Sequence, residues 1–119
     1  MRQTQAEMPT HERPLSEQYR VAANAWCHAD AIARRLEELK TTALEQQKQA
    51  LIRSHGHMPD SHAEREVKSN PDWEAYITRM VDARTAANTY KIEMEVLRME
   101  ERELRDRNET IRAEMRLSR

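Results

Sequence analysis

Three histidines, His55, His57 and His62, lie close to Asp60 in one short stretch. His-x-His beside a carboxylate is a spacing that can hold zinc. A catalytic zinc also needs rigid ligands and a supporting outer shell. A stretch carrying Gly56 and Pro59 offers little of either, so these residues are read as polar loop positions, with no metal site and no cofactor. Cys27 and His28 are a thiol beside an imidazole. Successive helical residues point about 100° apart, so the two cannot act on each other as nucleophile and base. Cys27 is read instead as a small buried or half-buried side chain. The single Gly excludes a Gly-rich phosphate loop. Asp and Glu are interleaved with Arg and Lys, and no pair is set apart in an apolar run, as paired acid–base work requires. No catalytic residue is assigned, and neither an enzyme nor a small-molecule substrate is expected.

A second chemistry is phosphate binding. Arg98, Arg102 and Arg105 are spaced to share one helix face, and such a stripe can follow a phosphate backbone or an acidic surface. Against it, basic and acidic side chains are equal in number from Lys91 onward, and no aromatic residue follows Tyr90 to stack on bases. Direct nucleic-acid binding is therefore the weaker reading, and a salt-bridged face the stronger.

The elements that carry these residues follow from composition. The chain has 119 residues, of which 34% are charged and 38% hydrophobic, with one Gly and no Phe. Ala, Glu, Arg, Leu, Met and Gln favour helix, and a sheet would need more aromatic and β-branched residues and more turns. The fold class is all-α. The apolar content suits narrow seams between helices rather than a large core. The net charge of −1 argues against a whole-chain grip on nucleic acid. One cysteine excludes an internal disulfide. No run approaches the ~20 apolar residues of a membrane span, and the first residues lack the apolar stretch of a signal peptide. A cytoplasmic protein is the expectation.

Residues 1–13 are polar, contain Pro9, and read as a flexible or extended arm. A single helical domain is expected over 14–119. Its first long helix spans about 15–53, with a seam of Ala22, Ala25, Ala29, Ile32, Leu36, Leu39, Ala43, Gln46 and Ala50, widened by Tyr19 and Trp26. Gly56 suits a left-handed residue past the helix end, and Pro59 prevents resumption. Ser61 and Glu64 form a capping-box pattern for a short helix over about 61–68. Ser69, Asn70, Pro71 and Asp72 start the second long helix, over about 71–117. Its seam is Trp73, Tyr76, Met80, Ala83, Ala87, Tyr90, Met94, Leu97, Glu101, Leu104, Asn108, Ile111 and Met115, alternating three and four without a slip. Asn108 can set register or oligomer state, or can mark where the second helix outruns the first. The connector turns the two long helices back on each other as an antiparallel, coiled-coil-like hairpin. Ile92, Val96 and Met99 form a second apolar line off the seam. That line points to a homodimer, a helix bundle or a protein partner, and packing against the arm is the alternative.

The stretch from Glu64 to Leu117 reads EREVKSNPDW, then ARTAANTYK, then a charged helix ending RAEMRL. This resembles a loose group of small bacteriophage helical-hairpin proteins encoded near single-strand-annealing recombinase genes. The group's S-x-P-x-aromatic helix start corresponds to Ser69, Pro71 and Trp73, and its A-R-x-x-A-N step to Ala83, Arg84, Ala87 and Asn88, with a further Ala at 86. The resemblance covers less than half of the chain. It implies a phage accessory protein for DNA recombination or replication in the cytoplasm of the infected host, and it carries over no catalytic residue.

The function expected is thus non-enzymatic: binding a protein, or a protein–DNA complex, through helical surfaces. The candidate contacts are Ile92, Val96 and Met99 for a partner, and Arg98, Arg102 and Arg105 for phosphate or an acidic surface. An inhibitor of a host defence system or host enzyme, and a scaffolding helix bundle, are the alternatives.

Overall fold

The computed structural model describes residues 13–118, and the expected N-terminal arm lies almost wholly outside them. Among the described residues there are four helices and no strand: α1 (Leu15–Glu38), α2 (Lys40–His55), α3 (Asp60–Lys68) and α4 (Pro71–Leu117). The chain divides into two compact units. One joins the residues up to Cys27 to those from Asn88 onward, and the other is His28–Ala87. In each unit α4 packs on α1, which is consistent with a hairpin.

In the 28–87 unit, α1 and α4 run in opposite directions. Asp30 meets Arg84, while Leu36, one to two turns later, meets Tyr76, earlier in α4. In place of one helix over about 15–53 there are two, parted at Leu39, whose own amide and carbonyl still bond Arg35 and Ala43 at helical spacing. The cause is local. An unbroken helix would give the Leu36 carbonyl to the Lys40 amide, but that carbonyl accepts the Tyr76 hydroxyl at 2.5 Å. A side chain inserted into the ladder in this way interrupts it. The backbone at Leu39 stays in the right-handed helical region.

The seam of α1 is also rotated from its expected position. Ala33 is fully buried, whereas Ile32 and Leu39 are exposed. Tyr19, Ala22, Trp26, Ala29, Ala33 and Leu36, all buried or half-buried, again alternate three and four, while Ala25 of the expected seam stays half-buried beside them. This register seats Trp26, which the other leaves at the flank.

Gly56 follows α2 with φ +80° and ψ −156°. This is the mirror-extended region open essentially to glycine alone, not the left-handed helical one. Helix α3 starts at Asp60 with no side-chain cap, so the Ser61–Glu64 capping box does not form. Asp60 lies in the first turn, where a negative charge suits the helix dipole, and it pairs with Lys48. The cap of α4 is made as expected: the Asp72 amide donates to Asn70 Oδ1 at 2.8 Å. Ala63, Val67 and Trp73 are buried around this corner.

In the other unit, Ala22 of α1 and Met94 and Leu97 of α4 form a small core, with Leu15, Tyr19, Ala23 and Trp26 packed against it. The α4 seam is covered as far as Leu97, with Tyr90 partly open, and Glu101 is half-buried. From Leu104 on, every described residue of α4 is exposed.

Candidate interaction faces of the C-terminal helix

Ile92, Val96 and Met99 stand four and three residues apart, which aligns them on one stripe of α4. They are 61%, 47% and 58% exposed, while Met94 and Leu97, on the opposite side of the same turns, serve the core. No described residue covers the stripe. Glu93, Glu95, Glu100 and Glu103 rim it, with Arg102 beside Met99, and all five are exposed.

The three arginines are not an open cationic stripe. Arg98 Nη2 donates to Tyr19 Oη at 2.7 Å, and its guanidinium lies 5.6 Å from the Tyr19 ring centroid. That hydroxyl raises the Arg98 pKa still further, so the charge is permanent and committed to α1. Arg105 pairs with Glu101 at 3.5 Å. Arg102 is exposed. One of the three thus helps to hold the fold, and a second has a carboxylate beside it.

The strongest electrostatic site belongs to the 28–87 unit and was not singled out in the sequence. Arg84 donates from Nε and Nη2 to the two Glu37 carboxylate oxygens at 2.9 and 2.7 Å, and from Nη1 to Asp30 Oδ1 at 2.7 Å. Asp30 also accepts from Arg34 at 2.9 Å. The fork geometry suits a guanidinium and not an ammonium. The hydrogen bonds from Arg84 hold the Glu37 carboxyl below its ordinary value, outweighing partial desolvation and the nearby Asp30 charge. The signal was present as the Ala83-Arg84 step, but its partners lie more than forty residues earlier.

Lys48 is a second such site. It is buried, and its Nζ meets Asp60 at 2.8 Å and Glu45 at 3.0 Å. Those hydrogen bonds raise its pKa against the opposing desolvation, with Asp60 the larger contributor. Asp60 is therefore engaged by Lys48 rather than by the histidines. His55 Nδ1 lies 2.9 Å from Ser54 Oγ, and His62 is 3.8 Å from Glu66. Among the described residues no group of three or more His, Cys, Asp or Glu is arranged to hold a metal ion. Cys27 is exposed, contrary to the buried or half-buried position expected, because the rotated seam takes Trp26 inward and leaves its neighbour outside. An open groove lined by Ile32, Arg35, Leu36, Leu39, Arg79 and Ala83 borders the Leu39 break.

The chain matches no family model, no curated protein and no solved structure. No helix among the described residues is long and apolar enough to cross a membrane.

Proposed function

We propose that this chain is a non-enzymatic accessory protein of phage DNA recombination or replication, working in the host cytoplasm by binding a protein or a protein–DNA complex. The observation that carries the binding role is the Ile92–Val96–Met99 stripe: three large apolar side chains in line, left open by the core that uses the other side of the helix. Apolar stripes of this kind are the anchors by which a helix lies in a partner's groove. Their mostly acidic rim favours a partner whose groove is apolar with basic edges, and disfavours direct phosphate contact on this face. The resemblance of residues 64–117 to phage proteins encoded beside annealing recombinases supplies the setting.

The test is a tagged pull-down from phage-infected cells, with and without nuclease, using the native chain and the Ile92→Ala/Val96→Ala/Met99→Ala variant. A phage recombination or replication protein retained after nuclease and lost in the variant supports the reading. A host defence component or host enzyme captured in equal amount makes the chain an inhibitor. A partner lost on nuclease treatment puts nucleic acid in the bridge and makes Arg102 and Arg105 the residues to substitute.

A further inference from the structure

The α4 seam does not stop where its cover does. Leu104, Asn108, Ile111 and Met115 continue the three-four spacing of Met94, Leu97 and Glu101, yet Leu104, Ile111 and Met115 are 44%, 44% and 61% exposed. In heptad terms Met94, Glu101, Asn108 and Met115 are a positions, and Leu97, Leu104 and Ile111 are d positions. The flanking positions carry a sorted charge pattern. The e positions are Lys91, Arg98, Arg105 and Arg112, all basic, and the g positions are Glu93, Glu100, Arg107 and Glu114, mostly acidic.

That sorting selects an occupant. In a parallel pair each g residue faces the e residue of the partner's following heptad. Glu100 then meets Arg105, and Arg107 against Arg112 is the one like-charged pair. In an antiparallel pair e faces e and g faces g, which sets Arg105 and Arg112 against arginines and leaves Asn108 opposite an apolar d residue. In the parallel, in-register pair Asn108 meets its own copy and both amides find a partner, the arrangement by which a seam Asn specifies two strands and one register. The first twelve residues, MRQTQAEMPTHE, hold only two Met and one Ala among polar residues, without the three-four spacing that could fill this seam.

We infer that the part of α4 from Glu100 to Leu117 is a parallel two-stranded coiled coil with a second copy of this chain, held by Leu104, Ile111 and Met115 and registered by Asn108. Glu101 in an a position and the Arg107–Arg112 pair keep it weak enough to dissociate on dilution. This interface is separate from the Ile92–Val96–Met99 stripe and does not rest on the function proposed above.

The test uses the full chain in a Cys27→Ser background, with Leu104→Cys, Ile111→Cys and Met115→Cys made singly, alongside sedimentation equilibrium of the native chain. The inference expects each variant to oxidise to a disulfide dimer with itself. It also expects a concentration-dependent native dimer, and dimer dissociation in Ile111→Lys weakened about tenfold or more at unchanged helix content. A disulfide forming only between Leu104→Cys and Met115→Cys chains, a d residue against an a residue, would mean antiparallel pairing and overturn it. So would a native chain monomeric at every concentration, or one that dimerises only after residues 1–12 are removed, since the arm would then be the cover.

Discussion

The Tyr76 hydroxyl donates to the Leu36 carbonyl at 2.5 Å, across from α4 to α1, and at that level the first helix is broken. One hydrogen bond thus ties two helices at the level where one of them is parted. Tyr76 also stacks on Trp73, with ring centroids 5.6 Å apart, and carries Arg79 at 5.7 Å over its ring. Tyr76→Phe keeps the stack and deletes only the hydroxyl. It should lower stability by about 1 kcal/mol, while amide exchange at Lys40 slows because the Leu36 carbonyl returns to the helical ladder. Unchanged Lys40 exchange would separate the break from the tyrosine.

The Arg84 fork predicts an acid dependence. The folded Glu37 carboxyl lies below its ordinary value of 4.5. Its contribution is therefore fully present above that value and lost as pH falls through the lower folded value. Denaturant midpoints of the native chain should fall with pH in that window, and Glu37→Gln should flatten the fall. Arg84→Lys should destabilise the native chain at neutral pH, because a point ammonium lacks the planar fork that holds both Glu37 oxygens while a third donor reaches Asp30.

Lys48 should separate charge from volume. Its two carboxylate partners are largely open to water, with Glu45 52% and Asp60 72% exposed, so they rehydrate at little cost once the ammonium is gone. Lys48→Met keeps the buried stem and should melt close to the native chain or above it. Lys48→Ala removes the stem and should melt lower than both. Equal losses in the two variants would assign the effect to the ion pairs.

Gly56→Ala tests the turn. An added Cβ would meet nothing within 4 Å, so no clash contributes. The positive φ alone should lower stability by about 1–3 kcal/mol. A neutral substitution would show that the turn has a second conformation within reach.

The all-helical class was legible because breakers are so few, and the cap at Asn70 because its side chain acts two residues away. The α4 seam was legible as far as Leu97 because large residues such as Trp73 and Met94 mark it. The α1 seam was not. Two three-four registers share Ala22, Ala29 and Leu36, and a stripe of Ala carries too little hydrophobic contrast to choose between Ala33 and Ile32. The choice is made by seating Trp26, which is a matter of fit between helices. The Leu39 break, the Arg84 fork and the Lys48 site each join residues 12 to 54 positions apart, a relation that local pattern does not contain. The candidate faces divide in the same way. Ile92, Val96 and Met99 are open, as their spacing off the seam implied, whereas the commitment of Arg98 to Tyr19 follows from which residue of α1 lies opposite.

The most direct test of the account is a titration of the captured partner, purified, against the native chain, the Ile92→Ala/Val96→Ala/Met99→Ala variant and Arg102→Ala/Arg105→Ala, with helix content checked for each. The account predicts that the apolar variant binds about tenfold or more weakly, while the arginine variant stays within a few-fold of native. Native affinity in the apolar variant, with loss confined to the arginine variant and steepening at low salt, would contradict it and make the surface a phosphate or acidic-surface contact instead.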